Sequence, residues 1–598
     1  MITLDFETFY SSEYSLGLKA YNTTSYIRDP QFLIHGVGIK IDDKPSYYVS
    51  GHDEVIAHLQ TLDWSQPVLC HNAYFDGFIL THHCRIKPTF YYDTMCMARI
   101  ALGHHISHSL NNVADTLGFG IKLDGLAAVK NFRKLTPELD KILGEYCIRD
   151  VDLTYACYWE MLEAVPEPEL ELINLTIKMF TEPELKLDEQ LVRKALEEEI
   201  ANKKEKKKAA NAITEELTSN EKFASKLREL GVEPPQKISP TTDKTTYAFA
   251  KTDKGFKKLL NSSNEQVRSL AEARIAVKST LQETRATRLL DEGKNGQSVP
   301  VFLNYSGAHT HRWSGGNKLN LQNLPRGGTL RQALLAPAGH QILVCDLSQI
   351  EARITAWFCG QKDVVQAFAN NEDVYKNMAS KIYNIPPDKI NKDQRFIGKV
   401  CVLGLGFGMG PAKLKDTLAM GFMGKPVEMS LEEVQNIVQK YRIANPNVVF
   451  MWQKLNACIS WMMTNVDQFS PYKLHPVSFY NNKILLPNDT YLRYPNLRQG
   501  EDNIVYDTKM GETYTWGGKL LENIVQALAR IVVAEQMLKI SKHMKVVSMT
   551  HDEIIAIAKT EEAQNKFDLM CDIMTTPPVW ATDLPLAAEG SFHERYSK

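Results

Sequence analysis

Short apolar runs alternate with helix-spaced segments over the first 160 residues. The runs MITLDF, LIHGVGIKI and PVLCHN have the pattern of strands, and the stretches between them have the spacing of helices. This alternation predicts an α/β domain. Near residue 165, the two prolines of VPEPELELINL precede a new helical period and mark a plausible domain boundary.

The pattern changes twice more along the chain. From about residue 170 to 300 it is helical and rich in Lys and Glu, with breaks at GVEPPQKISPTTD and DEGKNGQ, and it predicts an elongated helical arm. After residue 300, the strand-like runs ILVCDL, YLRYP and KVVSMT lie among long helices. The chain is therefore predicted to be a multidomain α/β protein.

Composition narrows the classes of protein that fit. A length of 598 residues with 44% hydrophobic content suggests about three or four domains. The ten cysteines form no CxxC pair with zinc spacing, and no signal peptide is recognisable, so a reducing, cytoplasmic setting is expected. No apolar run approaches the roughly 18 residues of a membrane span. The chain is therefore expected to be soluble, without a membrane partner.

The net charge of −2 does not indicate nucleic-acid binding by the protein as a whole. Any phosphate-binding surface must therefore be local. The sharpest local surplus is a run of five lysines in the helical arm: Lys203, Lys204, Lys206, Lys207 and Lys208. Such runs are usually solvated helix faces, and contact with a duplex backbone is the alternative.

A first set of acidic side chains lies in the α/β part. Asp5 and Glu7 are two residues apart in a strand, so both carboxylates point to one face and repel unless a cation is bound there. Tyr146 and Asp150 are four residues apart on a helix and share a face. The segment VLCHNAYFD adds two further polar side chains beyond an apolar strand, Asn72 and Asp76.

The ordered series D-x-E, N-x3-D, Y-x3-D is much more specific than any of its members. Four carboxylates can hold two Mg²⁺ ions around a scissile phosphate. The series resembles the proofreading 3′→5′ exonuclease domains of the DEDD superfamily, tyrosine subtype. The resemblance implies an RNase H-like fold and water positioning by Tyr146. It also implies metal binding by Asp5, Glu7, Asp76 and Asp150, with Asp152 as the nearby alternative to Asp150.

A second pair of aspartates lies far apart in the C-terminal half. Asp346 ends the apolar strand QILVCDL, where a carboxylate is costly to bury unless it binds a cation. A helix is predicted from Ser348, and Ser348 with Glu351 also fits a capping box. The segment KVVSMTHDEIIAIA predicts two strands joined around His551 and Asp552, although Asp is also a common turn residue.

The segment RFIGKVCVLGLGFG lies between these two aspartates. Arg395, Lys399, Leu403 and Phe407 recur every fourth residue and are predicted to form one stripe along a helix. Arg395 and Lys399 would face anionic phosphates, and Phe407 would lie near a base. The glycines do not form G-x-G-x-x-G because residue 409 is Met, and no GK pair precedes Ser or Thr, so an ATPase of the Walker type is excluded.

These segments resemble motifs A, B and C of the family A DNA polymerases, the DNA polymerase I family. DLSQIEARITAWF is similar to motif A, the Arg/Lys helix to motif B, and the HDE segment to motif C. THRWSGGNKLNLQNLPRG and ENIVQALAR resemble further elements of that family. The segments LSQIEARITAW, GKVCVLGLGFG and ENIVQALAR are similar to its phage-encoded branch. Leu347 and Leu403 depart from the bacterial pattern.

The resemblance implies roles for particular residues. Asp346 and Asp552 would bind metal ions and, with Lys399 and Arg395, carry out catalysis, while Glu553 would be an auxiliary acid. Contacts to the nucleotide would come from Arg395, Lys399, Phe407, Gln349 and Glu351, with Glu351 excluding a 2′-hydroxyl. Contacts to DNA would come from Arg312, Gln322, Asn323, Gln526 and His551.

The resemblance also implies an architecture and partners. An exonuclease domain at 1–165 would precede a right-hand polymerase domain at 166–598, with a thumb near 170–300, a palm near 300–360 and 470–598, and fingers near 361–470. Each active site would use two Mg²⁺ ions, with Mn²⁺ as a substitute. The expected partners are primer–template DNA and dNTPs. A monomer in the cytoplasm of a phage-infected host is expected, and the sequence leaves a processivity partner open.

Three competing hypotheses differ in class. A standalone nuclease could retain the polymerase half as a DNA-binding scaffold, but a scaffold needs no set of Asp346, Lys399 and Asp552. A non-enzymatic nucleic-acid-binding protein would need a basic or aromatic surface without ordered acids. RNA synthesis is disfavoured by Glu351 as a steric barrier to ribonucleotides.

Overall fold

The N-terminal part of the chain is built around a mixed five-stranded sheet. The computed structural model describes residues 1–123, 125–239, 243–421, 426–464 and 470–597. The sheet has the order β3-β2-β1-β4-β5, in which β1 pairs antiparallel to β2 and parallel to β4. Its strands are β1 (Ile2–Thr8), β2 (Ile34–Ile41), β3 (Tyr47–Ser50), β4 (Val68–Cys70) and β5 (Tyr91–Asp93).

Helices surround this sheet, which confirms the predicted α/β pattern. They are α1 (Thr23–Ile27), α2 (His52–Leu59), α3 (Ala73–His82), α4 (Thr94–Ala101), α5 (Leu110–Thr116), α6 (Pro137–Leu162) and α7 (Glu167–Thr181), with a 3-10 turn at Leu126–Val129. Thr136 caps α6, and Pro137 occupies its first turn, where a missing N–H costs nothing. The long helix α6 packs across β1, β2 and β3. This packing places its buried face against the strand that carries Asp5 and Glu7.

A mostly helical segment follows, as the periodicity predicts. Its elements are β6 (Lys186–Leu187), α8 (Glu189–Ala209), α9 (Thr214–Thr218), α10 (Asn220–Glu229), β7 (Gln236–Ile238), β8 (Thr245–Tyr247), α11 (Lys254–Leu260), α12 (Glu265–Lys278), α13 (Leu281–Gly293), a 3-10 turn at Lys294–Gly296 and β9 (Leu303–Asn304). The predicted break at GVEPPQKISPTTD contains β7, and β8 follows it as its antiparallel partner. The middle of this segment has its own small core around Phe223 and Phe256.

The lysine run on α8 is not a uniform solvated face. Lys203 is buried, and its ammonium group donates to the Ser279 carbonyl at 2.5 Å and pairs with Glu283 at 3.0 Å. This lysine joins α8 to the chain around α13, so the prediction that it faces solvent or DNA is wrong. Lys204 and Lys208 remain exposed.

The next segment is helical and carries the Arg/Lys helix. It comprises β10 (Ser314–Gly315), a 3-10 turn at Leu321–Asn323, α14 (Thr329–Gln332), β11 (Leu334–Leu335), β12 (His340–Leu347), α15 (Ile350–Phe358), α16 (Lys362–Ala369), α17 (Val374–Tyr383), a 3-10 turn at Pro387–Lys389, α18 (Lys392–Leu405), α19 (Pro411–Met420), α20 (Leu431–Ala444) and α21 (Pro446–Thr464). Gly398 lets α18 approach α17 closely, since a Cβ there would lie 2.1 Å from the Tyr375 carbonyl oxygen.

The C-terminal part completes a four-stranded antiparallel sheet of order β20-β21-β12-β22. Its elements are β13 (Tyr472–Leu474), β14 (Val477–Tyr480), β15 (Lys483–Leu485), β16 (Tyr491–Arg493), β17 (Arg498–Gln499), β18 (Ile504–Thr508), β19 (Gly511–Thr515), α22 (Gly517–Ser541), β20 (Lys545–Thr550), β21 (Glu553–Lys559), a 3-10 turn at Thr560–Glu562, α23 (Ala563–Thr575) and β22 (Ala588–His593). The strands predicted at ILVCDL, YLRYP and KVVSMT are confirmed as β12, β16 and β20. Among the residues described, no helix is long and apolar enough to cross a membrane.

A buried ion pair joins α7 to α22. Arg530 donates two hydrogen bonds to the Glu169 carboxylate, at 2.5 and 2.7 Å, and the two side chains are 1% and 3% exposed. The same carboxylate accepts hydrogen bonds from Tyr305 and Asn488, and Arg530 also donates to the His311 carbonyl at 3.1 Å. A buried charge pair is tolerated only when its remaining hydrogen-bonding capacity is satisfied, as it is here.

We expect Arg530→Met to destabilise the protein by about 3–5 kcal/mol, because it leaves the Glu169 carboxylate buried without its cation. Urea denaturation followed by tryptophan fluorescence measures the shift in the unfolding midpoint. The matched control Lys222→Met breaks the exposed ion pair with Glu215 and should leave the midpoint unchanged. A normal midpoint for Arg530→Met contradicts the role assigned to this pair.

Candidate active sites

The two C-terminal aspartates meet at one edge of the four-stranded sheet. Asp346 is the penultimate residue of β12, and Asp552 lies in the two-residue turn between β20 and β21. The Leu347 N–H donates to the Asp552 carbonyl at 3.1 Å, which ties the turn to the strand end. His551 adopts a left-handed φ of 57° in this turn. The predicted hairpin around His551 and Asp552 is confirmed.

The electrostatics of this edge suit a divalent cation. Burial, and after it the neighbouring Asp346, raises the pKa of Asp552 to about 6. Two carboxylates that oppose each other's ionisation are a donor set that Mg²⁺ prefers. Arg326 donates to the Asp346 carboxylate at 2.9 Å, so a protein cation compensates part of the negative charge. Burial also lowers the pKa of His551 in the adjoining turn.

The start of α15 differs from the sequence prediction. The helix begins at Ile350, and Gln349 occupies the N-cap position with a left-handed φ of 53° and no side-chain cap. The predicted capping box of Ser348 and Glu351 is therefore wrong. Glu351 instead forms an ion pair with Arg312, which brings together a predicted nucleotide contact and a predicted DNA contact.

The Arg/Lys helix is α18, but it is shorter than predicted. Arg395 and Lys399 lie on it, and Arg395 donates to Asp373 at 2.6 Å. The helix ends at Leu405, so Phe407 lies in the following turn and the prediction of one continuous helical stripe is wrong. Beyond it, the left-handed Gly408 lies against Trp516, where a side chain would not fit.

Glu553 does not act with the two aspartates in this structure. Arg331 donates to its carboxylate at 2.7 and 3.0 Å, and Tyr596 donates a further hydrogen bond. Glu553 and Arg331 are only 2% and 3% exposed, and the Arg331 guanidinium lies 3.8 Å from the centroid of the Tyr596 ring. The expectation of an auxiliary acid stays a prediction, and in this structure the carboxylate forms a buried ion pair with Arg331.

The remaining predicted DNA contacts differ in accessibility. Gln322 is buried, and its side-chain amide lies 3.4 Å from the Met549 sulfur, whereas Asn323 is exposed. Gln526 is partly exposed on α22 and accepts a weak hydrogen bond from Thr310 at 3.5 Å. Gln322 therefore supports the strand behind His551 and does not reach solvent.

The N-terminal acidic set forms a second cluster. Asp5 and Glu7 lie on β1, and the Phe6 N–H between them donates to Asp76 of α3 at 3.0 Å. Asp150 and Tyr146 lie on the face of α6 that packs on β1. The ligand atoms of Asp5, Glu7 and Cys147 lie within 4.8 Å of one another. The structure thus brings together all four predicted carboxylates and the tyrosine: Asp5, Glu7, Asp76, Asp150 and Tyr146.

Burial raises the pKa of every carboxyl group of this cluster, and repulsion from a neighbouring carboxylate adds to it for Asp5, Glu7 and Asp76. Burial, followed by Asp150, raises the pKa of Asp5 to about 7. The pKa values of Glu7 and Asp76 lie well above their usual range because of burial and then the charge of Asp5. The Oδ1 atom of Asp150 is buried and has no hydrogen-bond partner. An orphaned carboxylate oxygen among four crowded acids fits a site for divalent cations.

The structure also separates the two candidates for the last acid. Asp150 is 2% exposed and faces the cluster, whereas Asp152 pairs with Lys40 at 3.3 Å and accepts a hydrogen bond from Ser46. Asp152 therefore lies outside the cluster. The sequence spacing also favours Asp150, because Tyr146 and Asp150 are four residues apart and share a helix face.

Three side chains that lie at these sites were not identified from the sequence. Lys122 pairs with Asp150, Cys147 donates to the Asp5 carbonyl at 3.2 Å, and Arg326 pairs with Asp346. Cys147 adjoins Tyr146, and Arg326 follows the NLP segment, so position along the chain offered a weak signal for both. Lys122 lies in a loop with no motif, and no sequence signal identifies it.

Known proteins that are similar to this chain are DNA polymerases, as the sequence motifs predict. The family model for DNA polymerase family A matches residues 188–466. The chain is 26% identical to a DNA polymerase of Bacillus phage SP02, over 100% of this chain and 99% of that protein. It is 25% identical to DNA polymerase I of Aquifex aeolicus, over 94% of this chain and 93% of that protein.

A solved structure shares the fold. The POL domain of Pol1 from M. smegmatis, in complex with DNA primer-template and dNTP, matches with a TM-score of 0.68 and 17% identity. The match covers 95% of this chain and 93% of that one. The two structures therefore share one fold. The family model and the two relatives confirm the resemblance to DNA polymerase family A that the sequence motifs predict.

We expect Asp552→Asn to stabilise the metal-free protein at pH 8 and to have little effect at pH 4. A carboxyl group whose pKa is raised to about 6 in the folded state favours folding at low pH, and this contribution is lost as the pH rises through 6. The expected gain is on the order of 2 kcal/mol. Thermal melting in EDTA at both pH values measures it, with the exposed Asp568→Asn as control. Equal stabilisation at both pH values would exclude an ionisation effect.

Proposed function

We propose that this protein is a DNA-templated DNA polymerase with a 3′→5′ proofreading exonuclease. The observation that carries the polymerase activity is the meeting of Asp346 and Asp552, with the raised pKa of Asp552, at the sheet edge near α15. The full-length similarity to a phage DNA polymerase supports it. The crowded acids of β1, α3 and α6 support the second activity.

In polymerisation, the primer 3′-hydroxyl attacks the α-phosphorus of the dNTP and pyrophosphate leaves. Asp346 and Asp552 would hold two divalent cations, Mg²⁺ by preference, which activate the attacking oxygen and stabilise the leaving oxygen. Lys399 and Arg395 bind the triphosphate, and Arg395 exchanges its pairing with Asp373 for this contact. Gln349 and Phe407 complete the nucleotide site.

DNA is held by side chains around the same edge. Arg312, Asn323, Gln526 and His551 contact primer and template, and contacts in the minor groove check the geometry of a base pair without reading its sequence. The POL domain of Pol1 from M. smegmatis, which is in complex with DNA primer-template and dNTP, supports these partners. Gln322 acts indirectly, by supporting the strand that carries the turn.

In proofreading, a mispaired 3′ end moves to the N-terminal cluster. Asp5, Glu7, Asp76 and Asp150 would hold two divalent cations that activate water and stabilise the departing 3′ oxygen. Tyr146 orients the attacking water. Residues 1–165 form this domain, and residues 166–598 form the polymerase domain with its thumb, palm and fingers. The protein serves phage DNA replication as a monomer.

We expect the two activities to separate by mutation. With a 5′-labelled primer–template, Mg²⁺ and dNTPs, the wild type extends the primer, and without dNTPs it shortens it. Asp552→Ala should lose extension by at least about a thousandfold and still shorten the primer, because metal-bound carboxylates supply several kcal/mol of transition-state stabilisation. Asp150→Ala should extend the primer without shortening it.

The chain offers a matched control two residues away. Asp152→Ala removes a carboxylate from the same helix but outside the cluster and should keep both activities. A wild type that shortens the primer but never extends it contradicts the polymerase assignment and favours a nuclease with a DNA-binding scaffold. Equal loss of shortening in Asp150→Ala and Asp152→Ala contradicts the nuclease site.

We expect Glu351→Ala to incorporate rNTPs more readily, by about tenfold or more relative to dNTPs. The Glu351 side chain, held by Arg312, restricts the space beside the sugar. Single-nucleotide incorporation with dNTP and rNTP pairs measures the ratio of kcat/KM values. Arg312→Ala, which frees Glu351 without removing it, is the comparison. An unchanged ratio for Glu351→Ala would place sugar discrimination elsewhere.

A further inference from the structure

We propose that Lys122 is a further functional residue of the nuclease centre. Its ammonium group forms an ion pair with the Asp150 carboxylate until divalent cations bind there. The ammonium group then binds the scissile phosphate. This inference deepens the nuclease activity proposed above and rests on it.

The position of the ammonium group is the first observation. Lys122 forms an ion pair with the Oδ2 atom of Asp150, and its nitrogen lies 4.8 Å from the centroid of the Tyr146 ring. The Asp150 side chain is 3% exposed and that of Lys122 is 25% exposed. The ammonium group therefore lies where the deeply buried carboxylate meets solvent, next to the tyrosine assigned to the attacking water.

The backbone around Lys122 is the second observation. Its N–H donates to the Asn111 side chain at 3.0 Å, which fixes the lysine backbone to α5. Arg149 of α6 donates to the Phe119 carbonyl at 2.8 Å, which ties the start of the same loop to the helix that carries Asp150. These bonds hold the Lys122 backbone beside the cluster, while its long side chain remains free to change partner.

Charge balance gives Lys122 a role both without and with bound metal ions. Four carboxylates crowd this centre, and without metal ions Lys122 offsets part of their repulsion, lowering the pKa of Asp5 and of Asp150 against the effect of burial. Two divalent cations would neutralise the four carboxylates completely. The single negative charge of a bound phosphodiester would then remain, and the ammonium group matches it.

The lysine therefore acts by binding and not by transferring a proton. During hydrolysis, water attacks the phosphorus of the 3′-terminal phosphodiester, the bond from phosphorus to the 3′ oxygen breaks, and a nucleoside monophosphate leaves. The attacking water loses a proton to solvent, and the departing 3′ oxygen gains one from solvent. Lys122 donates a hydrogen bond to a non-bridging phosphate oxygen, where negative charge increases in the transition state.

The first test compares hydrolysis by Lys122→Met, Lys122→Arg and the control Lys130→Met. Lys130 is exposed and lies eight residues further along the same chain segment. With 5′-labelled single-stranded DNA and Mg²⁺, Lys122→Met should lower kcat about a hundredfold with a smaller change in KM, because one transition-state donor is lost. Lys122→Arg should recover part of kcat, and Lys130→Met should match the wild type. Primer extension by each variant verifies folding.

The second test measures metal binding without DNA. Mn²⁺ titrations followed by electron paramagnetic resonance are carried out in the Asp552→Asn background, which weakens the other metal site. Lys122→Met should bind Mn²⁺ more tightly than its parent, by several-fold or more, because the competing ammonium group is gone. A lysine with a purely structural role would leave Mn²⁺ affinity unchanged or weaken it.

The results separate this inference from the nuclease assignment. If Lys122→Met hydrolyses DNA at the wild-type rate, Lys122 does not bind the phosphate. If Lys122→Met binds Mn²⁺ no more tightly than its parent, Lys122 does not compete with cations for Asp150. If the wild type does not shorten DNA, the nuclease assignment and the phosphate-binding role both fail. Tighter Mn²⁺ binding by Lys122→Met would then still support competition between the lysine and a cation.

Discussion

The buried ion pair between Glu169 and Arg530 is the constraint on which the arrangement of both halves depends. It connects α7, which leads out of the N-terminal sheet, to α22, which packs against α15 and β20. The same guanidinium binds the His311 carbonyl, next to the arginine that pairs with Glu351. Removing one charge would leave the other buried without its partner, so the pair favours the packing of α7 against α22.

Both candidate sites carry negative charge that the cationic side chains of the protein compensate only in part. At the sheet edge, Arg326 pairs with Asp346, and in the N-terminal cluster, Lys122 pairs with Asp150. These cations reduce repulsion among the acids, yet the pKa of Asp5 remains near 7 and that of Asp552 near 6. Crowded carboxylates of this kind are stabilised most by a divalent cation, since its double charge offsets more of their repulsion than the neighbouring side chains do.

Two physical causes explain where the structure departs from the sequence predictions. Lys203 was expected at an accessible position, but it is buried, as is Glu553, and each pairs with a residue distant in sequence. Periodicity placed Arg395 and Lys399 on one helix but extended that helix too far, because the glycines after Leu405 allow the turn that carries Phe407. The Ser348–Glu351 pattern fits a capping box locally, but Arg312, 39 residues away in the chain, binds the glutamate.

The sequence by itself determined which segments around the motifs form strands and helices, although not where each helix begins and ends, because apolar periodicity and short-range spacing act within a few residues. It also placed Asp5 with Glu7 and Tyr146 with Asp150 on common faces, since these relations need only the geometry of one strand and one helix. Only the tertiary structure decided that Asp346 lies beside Asp552, that Asp150 and not Asp152 faces the acids, and that Lys122 joins them. Those outcomes depend on sheet pairing, helix packing and burial between distant segments, whose energies no local pattern records.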